Sequence, residues 1–442
     1  MPEAPKRELS LLDSTCLIVG IIIGVGIYQM APAIAKGTSG GWGFLGIWIV
    51  GGVLSLCGAL GYAELASAYP REGGDYVYLT RAYGRWAGFL FGWVQLAVVR
   101  PGDIAVIAFA FATYGSALFD PLPHAAHGLT LRLYATQAVV LLTGINIIGV
   151  RAGKWAQNLL TLVKALGLLA IVGVALLVPA DRSAAAPAAF EPLPWSLALI
   201  FVLFTFGGWN EMAYVAAEVK NPGRNIVRAL VLGTAAVMVL YLLVSGAFLY
   251  TLGHGGVATS EAVAADSIAS VFPRAGGRII SALICISALG AANGLVFTGA
   301  RISYAVGAEH RAFRVLGQWH PSTGTPVRAL LAQGAIAVTL ILALGSFVDT
   351  ILYTAAAVYT FYLATSLAVI VLRLREPGVW RPYRVTGFPI PTLVFSAVCA
   401  FLIYSAVEYK PWVAAGSCVI LLLGLPIYWL TSRRAAVAAG GG

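Results

Sequence analysis

Charge is what this chain has least of. Of its 442 residues only 10% are Asp, Glu, Lys or Arg, while 60% are hydrophobic. A soluble domain carries about 25% charged residues, so a soluble globular fold is excluded. The chain also lacks the signatures of common catalytic classes. It has no P-loop and no nucleophile elbow. Its five histidines are scattered through loops, with no Cys/His spacing that would hold a metal. Its five cysteines, at 16, 57, 285, 399 and 418, all fall inside apolar runs, so no external disulfide is expected. No cofactor, metal or enzymatic activity is expected. The net charge of +10 is spread over many short loops, which argues against a nucleic-acid-binding patch.

What is present is apolar length. Roughly 20 apolar residues cross a bilayer as a helix. Twelve runs of that kind are counted, near 14–35, 42–68, 86–118, 131–149, 156–179, 195–217, 229–252, 277–305, 327–346, 348–372, 390–407 and 412–431. The first is long and has no small-residue cleavage pattern behind a short core, so no signal peptide is expected. With the N-terminus inside and the runs alternating, twenty of the 28 Lys and Arg residues fall on the cytoplasmic side. Six fall outside: Lys36, Arg132, Arg182, Arg274, Arg278 and Lys410. This split fits the positive-inside rule, an even number of spans and two cytoplasmic termini.

Two runs are broken by glycine at mid-depth. The first holds Gly20, Gly24 and Gly26 within Val19 to Tyr28. The sixth holds Gly207 and Gly208 within Phe204 to Glu211. Backbone that opens inside a bilayer must find partners for its N–H and C=O groups, and a polar ligand or ion can supply them. Paired interruptions at corresponding positions point to a transporter site between inverted repeats. Residues Ile22 to Gly26 are therefore expected to form an open turn that holds a substrate. The alternative is glycine used for close helix packing, as expected for the Gly-rich second run with Gly46, Gly51, Gly52, Gly58 and Gly61.

Charges inside the runs are few. Arg100-Pro101-Gly102-Asp103 lies in the third run, where Pro101 predicts a kink and the three-residue spacing allows an Arg100–Asp103 pair. Lys164 lies roughly 14 Å into the fifth run. Glu211 is a functional candidate as an intramembrane acid; seven residues separate it from Glu218, and both can face the eighth run. Glu64 and Glu218, near the cytoplasmic face, read as anchors for arginines.

Six short motifs occur in order: Ile22-Ile23-Gly24-Val25-Gly26-Ile27, Tyr62-Ala63-Glu64-Leu65, Gly73-Gly74-Asp75-Tyr76, Phe206-Gly207-Gly208-Trp209, Glu218-Val219-Lys220-Asn221-Pro222 and Arg381-Pro382-Tyr383-Arg384. Together they resemble the amino acid–polyamine–organocation superfamily, and within it the L-type amino acid transporter group. The resemblance implies an all-α membrane protein of LeuT-type fold with twelve helices, the first and sixth unwound. The implied units are one inverted repeat over 1–180, a second over 181–375, and two additional helices over 376–442. It implies a sodium-independent exchanger of neutral amino acids in the cell membrane. Alternatives are a proton-coupled symporter, or a sensor or channel of the same fold.

On that resemblance the substrate-binding residues are Ile22, Ile23, Gly24, Val25, Gly26 and Ile27, with Phe204, Phe206, Gly207, Gly208, Trp209 and Asn293. Amides at the start of the second half-helix would face a carboxylate, and carbonyls at the end of the first an ammonium. Phe204 would be an aromatic gate. No carboxylate lies within 204–210, which favours neutral substrates. Lys164 either snorkels to an interface or stands in for a sodium ion, with proton release as a further role. Asn293 either lines the pocket or bonds a neighbouring helix. Val25 stands where the family usually has Ser, and Tyr28 where Phe is common. Animal relatives join a glycoprotein through a cysteine after the third helix; the loop 120–127 has none, so no disulfide-linked partner is expected.

Overall fold

The computed structural model describes residues 7–71, 73–121, 127–177, 190–260, 263–269, 276–310, 313–343, 347–409, 411, 419 and 421–429. Every named element is helical, and β contact is limited to isolated bridges. Helix α1 spans Leu11–Ile22. It starts at a capping box, in which the Ser10 side chain accepts from the Asp13 N–H while Asp13 accepts from Ser10. Two short helices follow, α2 (Gly26–Gln29) and α3 (Ala31–Lys36), and then the long α4 (Gly41–Ala68). Helix α5 (Asp75–Tyr83) is a short link that leads into α6 (Arg85–Val94).

A π-helical turn, Gln95–Val99, joins α6 to α7 (Arg100–Leu118). Here the Arg100 N–H reaches back five residues to the Gln95 carbonyl. The proline expected to kink this run sits directly after that turn. Pro101 donates no hydrogen bond, and a wider turn is one way a helix absorbs the gap.

Next come α8 (His127–Ile148), α9 (Val150–Leu177) and α10 (Trp195–Thr205). A 3₁₀ segment covers Trp209–Glu218. The remaining helices are α11 (Pro222–Thr259), α12 (Val263–Ala269), α13 (Gly276–Glu309), α14 (Val327–Ala343), α15 (Phe347–Arg375) and α16 (Ile390–Tyr409).

Among the described residues, nine helices are long and apolar enough to cross a membrane, and Val327–Leu342 and Ile390–Ser405 are shorter apolar helices. Half of the run 412–431 lies outside the described residues; 421–429 is helical.

Helix α13 is the hub. It packs on α7, α9, α8 and α14 and touches α1. Helix α4 packs along α11 and α16. Small residues make these approaches close. A Cβ on Gly51 would stand 2.1 Å from the Val202 side chain, and one on Gly58 2.7 Å from Trp209. The chain entering α1 is tied to the end of the 3₁₀ segment. The Leu9 N–H donates to the Glu218 carbonyl at 2.9 Å, and Lys220 N–H to the Leu9 carbonyl at 2.8 Å. The two interrupted runs are thus joined at one end and face each other at mid-length.

Candidate functional site: a cavity between two broken helices

Helical structure stops at Ile22 and resumes at Gly26. The first four amides of an α-helix have no partner inside it. Those of Val25, Gly26 and Ile27 have no backbone acceptor among the described residues. On the other side of the gap, carbonyls take side-chain donors. Ile22 C=O accepts the Tyr241 hydroxyl at 2.7 Å, and Gly24 C=O accepts the Ser287 hydroxyl at 3.1 Å. Ile23 C=O accepts Ser287 Oγ at 3.1 Å and Lys164 Nζ at 2.6 Å.

Lys164 does not snorkel. It is fully buried. Its ammonium also donates to the carbonyl of Gly20, and to that of Ser287 at 3.4 Å. The space it occupies exists because residue 290 is glycine: a Cβ there would lie 2.9 Å from Nζ. A fixed cation therefore closes the open end of α1, coordinated by carbonyl oxygens of α1 and α13.

The second break lies across from the first. Helix α10 ends at Thr205, residues 206–208 form a turn, and the 3₁₀ segment begins at Trp209. Gly208 has φ +109°, and a Cβ there would meet Ile21 Cγ2 at 2.6 Å. The turn demands glycine on both counts. Tyr241 spans the two breaks, its hydroxyl reaching the Thr205 carbonyl at 3.4 Å as well as Ile22.

Between the breaks is a cavity of about 150 Å³. Of the twelve residues expected to bind substrate, it is lined by Ile22, Gly24, Val25, Gly26, Phe204, Gly207 and Gly208. The other five lie elsewhere. Ile23 and Ile27 are buried, and Ile23 turns its carbonyl to Lys164. Phe206 packs on Trp48 and Tyr241, at ring distances of 5.9 and 5.3 Å. Trp209 packs edge-on to Tyr62 at 5.0 Å.

Asn293 is a correction. It does not line the cavity, because its amide is used between helices. It accepts from Asn146 Nδ2 at 2.9 Å and donates to Gln157 Oε1 at 3.0 Å.

The charged wall of the cavity was not anticipated. Gln95, Arg100 and Asp103 line it from the π turn and α7, and Glu211 from the 3₁₀ segment. Arg100 does not pair with Asp103; its Nη2 lies 2.7 Å from Glu211 Oε1, with both side chains about 5% exposed. The break at 206–208 brings Glu211 to that wall, and two intramembrane charges of opposite sign in different runs were the signal for it. The absence of a carboxylate in 204–210 therefore does not make the cavity free of them.

Below the cavity a chain of hydrogen bonds leads away. Tyr362 donates to Asn210 at 2.9 Å, Asn210 Nδ2 to Tyr214 at 3.0 Å, and Tyr214 to Asp75 at 2.6 Å. Asp75 is buried and also accepts from Tyr62 and from Thr365. Two further buried carboxylates hold arginines as expected. Glu218 lies 2.7 Å from Arg301, and Glu64 2.5 Å from Arg373 and 3.4 Å from Arg381.

Comparison with known proteins bears on what this arrangement does. The family model described as amino acid permease matches residues 9–425. The chain is 32% identical to mouse b(0,+)-type amino acid transporter 1 over 96% of its length and 88% of the relative's. It is 31% identical to the serine/threonine exchanger SteT of Bacillus subtilis, over 98% of both chains. It is 33% identical to rat large neutral amino acids transporter small subunit 2, over 97% of its length and 81% of the relative's. A multi-pass helical protein whose whole length matches transporters in this way is itself a membrane transporter, and the chain belongs to the amino acid permease family of the amino acid–polyamine–organocation superfamily.

Proposed function

We propose that this permease is a sodium-independent exchanger of neutral amino acids working by alternating access. The observation that carries the reading is the buried ammonium of Lys164 on the carbonyls of Gly20, Ile23 and Ser287. A sodium ion would seek the same oxygen ligands at the end of a half-helix. With a covalent cation already there, transport has no need of one from solution. The open amides of Val25 to Ile27 suit the substrate carboxylate. The carbonyls that end α1 and α10 suit its ammonium, and Phe204 and Ile200 offer an apolar wall. The names of two relatives, a serine/threonine exchanger and a large neutral amino acids transporter, support exchange and neutral substrates.

In the proposed cycle the bundle of the first, second, sixth and seventh runs rocks against the third, fourth, eighth and ninth around the fixed site, each group drawing on both five-helix repeats, 1–180 and 181–375. Residues 376–442 stay outside the moving core. The protein would sit in the cell membrane with both termini cytoplasmic, as a single subunit.

The test is counterflow into proteoliposomes loaded with one amino acid, against a panel of twenty, with and without sodium. Exchange of neutral amino acids at equal rates in both salts is the expected result. A requirement for sodium would remove the role given to Lys164. Acidification of the lumen on substrate addition would replace exchange by proton symport.

A further inference from the structure

Of the buried carboxylates, Glu218 is held by Arg301, and Glu64 by Arg373 and Arg381. Asp75 is held by hydroxyls instead. Its Oδ1 accepts from Tyr62 and, at 2.5 Å, from Thr365; its Oδ2 accepts from Tyr214 at 2.6 Å. Among the described residues no lysine or arginine lies within ion-pair distance of it. All four side chains are buried.

The donors come from three different elements. Tyr62 lies on α4, Tyr214 on the 3₁₀ segment and Thr365 on α15, while Asp75 opens α5, the link into α6. Glycine brings that link close. Gly74 has φ +45°, and a Cβ on it would stand 2.5 Å from the Tyr214 ring. The Gly73 N–H reaches the Tyr214 carbonyl at 3.4 Å. The Tyr214 hydroxyl also accepts from Asn210, and Asn210 accepts from Tyr362. Asn210 and Tyr362 both line the cavity. Every donor in this chain points toward Asp75, so the carboxylate sets the orientation of two groups on the cavity wall.

The choice of hydroxyls over arginine has a physical consequence. A buried ion pair that loses one partner is strongly destabilised, which suits an anchor that stays shut. Hydroxyls hold a carboxylate less tightly, and an exposed carboxylate regains its hydration. A clasp built this way can open and close. In the cycle and orientation proposed above, α4 and the 3₁₀ segment belong to the rocking bundle. Helix α5 leads into the third run, on the opposing side, and lies at the cytoplasmic end.

We propose that Asp75 is a positioning residue: its carboxylate gathers Tyr62, Tyr214 and Thr365 into a clasp that closes the cavity toward the cytoplasm and lets go when the carrier opens inward. The inference rests on the transporter reading and its orientation, and it assigns a residue that neither of them uses.

The test measures half-saturation of exchange from each face at one fixed concentration on the far side. Intact cells give the outer face and inverted membrane vesicles the inner. The probe is labelled leucine, or serine where leucine is not exchanged. Apparent affinity at each face scales with the fraction of carrier open to it, so the outer-to-inner ratio of half-saturations reads the balance of the two states. Asp75→Asn replaces one acceptor by an amide N–H₂, and Thr365→Val removes one donor. In both, the ratio should rise by about tenfold or more, the factor carried by one hydrogen bond to a charged group. A merely structural role would lower the amount of working carrier and leave the ratio alone. A ratio that is unchanged or falls in carriers that still exchange would overturn the inference and leave the transporter reading intact. No exchange of any amino acid by the wild type would overturn both. If both variants are inert, labelling decides. Val25 lines the cavity, so Val25→Cys in inverted vesicles is treated with a membrane-impermeant maleimide, with the carrier lacking that cysteine as background. Adding Asp75→Asn should speed labelling from the inner face by about tenfold. Labelling at the same rate or slower would overturn the inference.

Discussion

Lys164 Nζ stands 2.6 Å from the carbonyl oxygen of Ile23, the residue at which α1 stops being helical. The pair explains why an opened helix can persist in the protein interior. Carbonyls freed by the break gain a charged donor, which is stronger than a neutral one. The cation is part of the chain, so it is always present at the site.

Replacing that ammonium should damage both structure and transport. Lys164→Met leaves the Gly20 carbonyl, at the break, without its side-chain donor, and an unmet buried carbonyl costs about 1–3 kcal/mol. Lys164→Arg should not restore the site, because a Cβ on Gly290 would already lie 2.9 Å from Nζ and the guanidinium is larger. The expected outcome is a lowered melting temperature and counterflow reduced by about tenfold or more in both variants. Wild-type exchange by Lys164→Met would show that the lysine has no part in the cycle.

The second break should be as intolerant as the first. Gly208 is left-handed, and a Cβ there meets Ile21 Cγ2 at 2.6 Å. Gly208→Ala should cost about 1–3 kcal/mol in backbone strain and also push the two breaks apart. Counterflow should drop sharply while the purified protein still folds. Exchange at the wild-type rate would mean that the spacing between the breaks is not critical.

The two breaks were legible in the sequence because glycines interrupt two corresponding runs at mid-depth, a pairing that packing glycines such as Gly51 and Gly58 on a single helix do not show. The cytoplasmic-side anchors were legible for a similar reason: Glu64 and Glu218 had arginines within reach on neighbouring runs. The wall of the cavity was not. Arg100 and Asp103 are three residues apart, and spacing along one helix suggested that they pair. The true partner, Glu211, comes from another helix, and only packing decides which of two carboxylates an arginine meets. Asn293 illustrates the converse. A lone polar residue in an apolar run reads equally as ligand contact or helix bridge, and its Asn146 and Gln157 partners lie on α8 and α9.

Acid should loosen one corner of the protein. Glu376, just past α15, accepts from Tyr69 at 2.8 Å and pairs with Arg81 on α5 at 3.0 Å. Partial burial pushes its carboxyl up, but the hydrogen bonds from Arg81 and Tyr69 outweigh that and hold it below its ordinary value of 4.5. A lowered folded value means that the unfolded chain binds the proton more readily, so the contribution is complete at neutral pH. It is lost as pH falls below 4.5 and through the folded value. The pair is partly exposed, so the effect should stay under about 1 kcal/mol. Melting curves of wild type and Glu376→Gln should differ by no more than about 2 °C at neutral pH and converge in acid. A gap that widens as pH falls would contradict the assignment.

The Arg100–Glu211 pair makes an asymmetric prediction, because a second carboxylate lies beside it. Arg100→Gln leaves Glu211 and Asp103 on one wall with no cation between them. Breaking a buried pair in this way costs about 3–5 kcal/mol. Glu211→Gln should be milder. Arg100 then has Asp103 three residues away on the same helix, within reach of an i,i+3 pair. The double variant Arg100→Gln/Glu211→Gln removes both charges and should be more stable than Arg100→Gln alone, with a coupling of about 0.5–3 kcal/mol in a double-mutant cycle on melting. Strict additivity would show that the pair is not energetically coupled.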